Sequence, residues 1–157
     1  MATFNKYHTF LKTQMNGGDD TTGSSTAGAS RIVDFDSDTI KIMLVTASYT
    51  PSAAGHAVIS SASSNEVSGT GYTAGGATLA SPSITLIGGE VFFKANDVVW
   101  SENALGFSNA RYGIMYKSTG TPGTSTLIAY IDFITDKGNT SSDLVLQFNA
   151  AGIVKWF

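Results

Sequence analysis

Apolar and polar positions change their spacing once along this chain, near residue 31. Before that point Phe4, Tyr7, Leu11 and Met15 recur at the interval of one helix face. Thr3 is placed to cap such a helix and Asn16-Gly17 to end it, so the spacing predicts a helix over 3–15. The next stretch, "NGGDDTTGSSTAGAS" (16–30), has almost nothing to bury and reads as a mobile arm or surface loop. From residue 31 onward the period is two. "RIVDF" (31–35) and "DTIKIMLVT" (38–46) read as strands, the second setting Ile40, Ile42 and Leu44 on one face and Lys41, Met43 and Val45 on the other. Pro51, within "SYTPSAAG", stops strand pairing there. Further strands are expected over 77–88, 90–95, 97–100, 111–117, 127–133, 143–148 and 153–157, separated by turn chemistry such as "STGTPGTST" and "DKGNTSS". Short strands at this spacing, with no helical period between them, predict an antiparallel β-sandwich or barrel-like single domain with one short N-terminal helix. No internal repeat is visible.

Aromatic residues are interleaved in these strands. Where two are adjacent, as at Phe92-Phe93 and Trp156-Phe157, both faces of a strand carry a ring. That pattern predicts burial on both faces, one of them against another subunit. Phe93, Trp156 and Phe157 are therefore candidate interface residues, with Tyr72 beside them; Phe4, Tyr7 and Leu11 join them because an arm near residues 1–20 is expected to reach across to a neighbour.

Composition narrows the function classes. The 157 residues include no cysteine, so neither disulfides nor thiolate metal sites contribute. Charged residues make up 13% of the chain, against about 25% in an average domain. A surface of small uncharged polar groups suits a protein packed against others, and equally a soluble β domain with Thr-rich strands. The net charge is −3 and the nine basic residues are scattered, which argues against nucleic acid as a partner. No apolar stretch approaches the ~20 residues of a membrane span. The start, "MATFNKYHTF", lacks the apolar core of a signal peptide, so the expectation is a protein made and kept in a cytoplasm, or released by lysis.

Chemistry-bearing motifs are few. "NEVSGTGYTAGGATL" (65–79) crowds four glycines around Tyr72. Gly69 and Gly71 form G-x-G, but Gly75 comes one position late for a dinucleotide fingerprint, and a strand rather than a helix follows. The glycines read instead as positive-φ turns that let Tyr72 pack down as a plug. Asp34, Asp36 and Asp38 alternate like the opening of a calcium loop, yet Thr39 and Val45 occupy its glycine and glutamate positions. They read as strand-edge and turn carboxylates. His8 and His56, the only histidines, have no ligand or base partner at a useful spacing. Asn139 opens the glycosylation pattern "NTS", which reads as a turn. No catalytic residue, metal or cofactor is expected.

Together "FNKYHTFLK", "DSDTIKIMLVTASYTPS", "NEVSGTGYTAGGATL", "DVVWS", "ARYGIMYKSTG", "LIAYIDF" and "FNAAGIVKWF" resemble a family of small virion structural proteins of tailed bacteriophages. "EVSGTGYTAGG" with "ARYGIMY" is the most specific part. The resemblance covers 1–11 and 36–157; the Gly/Ser/Thr-rich segment and the extra strand "RIVDF" depart from it. It implies no enzyme activity and no catalytic residues. It implies a virion location, with a capsid decoration (cement) role bound to the major capsid protein, and a tail tube, adaptor or baseplate role as the alternative. Shell geometry, with decoration where three capsomers meet, leads to the expectation of a homotrimer.

Overall fold

The structure, a computed structural model, describes residues 3–15, 32–88, 90–148 and 154–155. It is mainly β, built from open antiparallel sheets that do not close into a barrel. The chain opens with strand β1 (Thr3–Lys6), followed by helix α1 (His8–Met15) and strand β2 (Ile40–Val45). Then come β3 (Ala77–Thr78), β4 (Ser83–Ile87), β5 (Glu90–Lys94), β6 (Val98–Trp100), β7 (Ala110–Lys117), β8 (Leu127–Lys137), β9 (Leu144–Leu146) and β10 (Val154–Lys155). A five-stranded sheet runs β1-β8-β7-β2-β3, a three-stranded sheet β10-β5-β4, and β6 pairs with β9 in a ribbon.

All three units meet in one core. Ile42, Leu44, Ile114, Leu127 and Ile128 from the large sheet, Phe93 from the second, and Trp100 and Leu146 from the ribbon are buried together. β2 is buried along both faces apart from Lys41, which explains its nearly unbroken apolar run.

The first element differs from the sequence expectation. Residues 3–6 are a strand rather than the first turn of a helix. β1 pairs antiparallel with β8, Phe4 opposite Ile131 and Lys6 opposite Ala129. At the junction the Tyr7 amide donates to the Ile128 carbonyl (3.1 Å), and the His8 amide to that of Ala53 (2.8 Å). Sheet pairing has overridden the helical period, and only 8–15 is helical. Phe10 and Thr13 of α1 are buried, so this segment is part of the body.

"RIVDF" is the second departure. Residues 32–34 form no strand, and Phe35–Ser37 is a turn. The Asp34 amide donates to the Asp38 carboxylate (2.8 Å), and the Asp36 amide to that of Asp34 (3.0 Å). These short acceptors capture amides that a strand partner would otherwise need. The turn drives Phe35 inward, its ring 4.7 Å from Phe93 and 6.2 Å from Phe10. Residues 77–88 form two strands: around Pro82 the chain leaves the large sheet for the small one, with Ser81 at φ 52. The expected arm at 16–30 lies outside the described residues.

Two irregularities mark the β7–β8 ladder. Ile128 is an extra residue between the pairs Met115–Ala129 and Tyr116–Leu127. Farther along, Tyr112 pairs with Asp132 but Ala110 with Lys137, so residues 133–136 bulge from β8.

Candidate functional site

The Gly-rich stretch is held by two polar side chains that converge on Gly75. The Tyr72 hydroxyl donates to Glu66 Oε1 (2.7 Å) and accepts the Leu44 amide (3.0 Å). Glu66 Oε1 also accepts the Gly75 amide (2.6 Å), and the Tyr116 hydroxyl donates to the Gly75 carbonyl (2.6 Å). Burial, then the bond to Glu66, pushes the Tyr72 hydroxyl's pKa upward. Gly76 has φ +77 and rests on the Ile42 carbonyl, where a Cβ would collide. The amides of this loop therefore serve its own fold, and Tyr72 is the inward plug that the sequence predicts.

A second anchor lies beside it. Asn139 is fully buried. Its Oδ1 accepts the Phe107 amide (2.9 Å), while Nδ2 donates to the carbonyls of Ser101 (2.8 Å) and Thr70 (3.4 Å). One amide group thus joins the Gly-rich loop, the 101–109 loop and the β8–β9 connection. The Phe107 ring seals the junction edge-on against Tyr72 (5.6 Å) and Trp100 (6.5 Å).

These anchored loops and ribbons present apolar side chains outward. Leu105 is 78% exposed, yet its amide donates to Asn103 Oδ1 (2.9 Å) and its carbonyl accepts the Thr70 amide (3.0 Å). Val99 and Val145 stand directly opposite each other on the outer face of the β6–β9 ribbon, both exposed. Ile134 is 58% exposed at the β8 bulge with φ 70, a backbone conformation that β-branched residues rarely adopt. Asp132 holds that bulge: its Oδ1 accepts the Ile134 amide (2.7 Å) and pairs with Arg111 Nε (2.7 Å). The bond to Arg111 is the main cause of the Asp132 carboxyl's lowered pKa.

Of the seven candidate interface residues, Tyr7 and Phe93 are buried within the chain itself, and this removes them from any docking face. Tyr7 donates or accepts at Tyr49 (2.8 Å between hydroxyls), and Tyr49 meets His56 Nδ1 (2.9 Å). Phe4, Leu11 and Tyr72 are partly buried against the core. Trp156 and Phe157 lie outside the described residues. The Asp34 and Asp38 carboxylates of "DFDSD" close their own turn, and Asp38 pairs with Lys117 (2.8 Å). Among the described residues, no three carboxylates or histidines are placed to hold one metal ion. No helix among them is long and apolar enough to cross a membrane.

Sequence reasoning missed the anchors Asn139, Glu66 and Asp132, because their roles arise from contacts between distant loops. It also missed the outward residues. Leu105 did carry a signal, a lone leucine inside the turn-forming run "SENALGFSN". Compared with family models, curated proteins and solved structures, the chain matches none.

Proposed function

We propose that this chain is a structural protein of a tailed-phage virion, with no enzymatic role. In this reading it is a capsid decoration protein that binds the major capsid protein on the expanded head, as a homotrimer where three capsomers meet. The observation that carries the reading is a set of outward apolar side chains, Leu105, Ile134 and the Val99–Val145 pair, each on backbone fixed by hydrogen bonds. Apolar groups held in place lose little entropy when a partner covers them, which favours docking over solvation. The low proportion of charge and the resemblance of "EVSGTGYTAGG" and "ARYGIMY" direct that docking toward a virion lattice. Many weak copies on one shell combine into firm attachment.

The test is cosedimentation with expanded heads that lack the protein, beside purified tails. Binding to heads, reduced at least tenfold by Leu105→Asp in a protein that keeps its circular dichroism spectrum, is the expected result. Binding to tails alone transfers the protein to the tail. Binding to neither rejects the virion reading.

A further inference from the structure

Strand β4 is the outer strand of its sheet. β5 pairs with one side, and among the described residues no backbone hydrogen bond reaches the other. The hairpin register determines which groups point outward. Ile87 pairs with Glu90 across a two-residue turn in which Gly88 has φ +60. Such turns are closed by a hydrogen-bonded pair, so Ile87, Thr85 and Ser83 direct their backbone groups to β5. Those of Ile84 and Leu86 point to the free edge. Their side chains are also 40% and 69% exposed. They share a sheet face with their cross-strand partners Phe93 and Val91, so an apolar row runs from the core to this edge.

Nothing in the strand protects that edge. Ser83–Ile87 carries no charge, its register with β5 has no bulge, and Pro82 precedes the strand without interrupting it. We infer that β4 pairs with β4 of a second copy of this chain, antiparallel about a two-fold axis through Thr85. Ile84 of one copy then faces Leu86 of the other, and each such pair exchanges backbone hydrogen bonds, about four in all. The two three-stranded sheets become one continuous sheet across the axis.

A second copy is the occupant because Ile84 and Leu86, the residues whose backbone faces the free edge, are both apolar and flank Thr85 equally. Reversal sets Ile against Leu on one face and brings no charge opposite a like charge. A five-residue edge buries well under the ~1,200 Å² usual for a stable complex. The contact is therefore weak between free subunits and strengthens when copies are held side by side. It is two-fold, separate from the three-fold association proposed above, and does not depend on the virion reading.

The test is sedimentation velocity of the full chain from micromolar to millimolar concentration, with amide exchange followed at Ile84 and Leu86. The expected result is a reversible doubling of the basal species, accompanied by slowing of those two amides as concentration rises. Leu86→Pro removes only an outward amide and Leu86→Lys adds a charge to the edge. Each should abolish the doubling and leave the basal species intact. Leu86→Lys keeps every amide, so it decides the matter if the proline variant fails to fold. Doubling that persists in Leu86→Lys, absence of doubling in the wild type, or amides already protected at the lowest concentration would each overturn the inference.

Discussion

Asn139 shows how much one side chain can decide. Its buried amide satisfies the Phe107 N–H and two partly buried carbonyls, those of Ser101 and Thr70. Asn139→Ala leaves those groups unpaired, at about 1–3 kcal/mol for each buried one. A loss of about 3 kcal/mol in urea unfolding is expected; a loss below about 1 kcal/mol would mean that the loops hold without it. Asp132 makes a prediction with a sign. Its pKa lies below the ordinary 3.8 because Arg111 and the Ile134 amide bind the charged form. The stabilisation is present above the ordinary value and fades as pH falls through the lowered one. Asp132→Asn should thus be less stable than the wild type at neutral pH, with the gap closing in acid. An unchanged gap at every pH would assign the effect to shape rather than charge.

At the scale of elements, the N-terminal segment is the clearest case. The sequence favours an arm that reaches toward a neighbour, but β1 completes a sheet edge and α1 buries Phe10. Phe10→Ala should cost about 3–5 kcal/mol, as core truncations do, and removing 3–15 should prevent folding. A truncated chain that melts cooperatively near the wild-type temperature would restore the arm. The strands at 40–45, 90–94, 110–117 and 127–137 were legible because period-two runs with β-branched and aromatic residues need no distant information. The start at Thr3 was not, because "TFNKY" is compatible with both periods and β8, more than a hundred residues away, chooses between them. Phe35 failed differently: Asp34 and Asp38 outcompete a strand partner locally, a turn signal hidden by the flanking apolar residues. The candidate site was less legible than the fold. Tyr72 was recognisable as an inward plug from its glycines, whereas the exposure of Ile134 depends on a bulge that only the β7–β8 register reveals.

The whole molecule stores an alkaline limit in its tyrosines. Burial raises the pKa of Tyr7, Tyr49, Tyr72 and Tyr116 above the ordinary 10.0, so the folded chain keeps protons that the unfolded chain releases. Stability is then complete below that value and declines as pH climbs past it. The urea midpoint should fall as pH rises above about 10, with these four tyrosinates forming together with unfolding. Ionisation of these four tyrosines, followed residue by residue by NMR, in a chain that stays folded would contradict it.

The pairing of β1 with β8 also sets a timetable. Residues 3–6 are made well before their partners at 129–132. Translation at roughly 5–20 residues per second keeps the first strand waiting for several seconds. The large sheet can then close only after residue 132 has been made, and with such distant pairings closure takes milliseconds to seconds. A nascent chain stalled before residue 129 should be cleaved rapidly by protease in its first fifteen residues, and a released chain should not. The five-stranded sheet therefore matures as a finished piece, its strands joined together rather than in the order of synthesis.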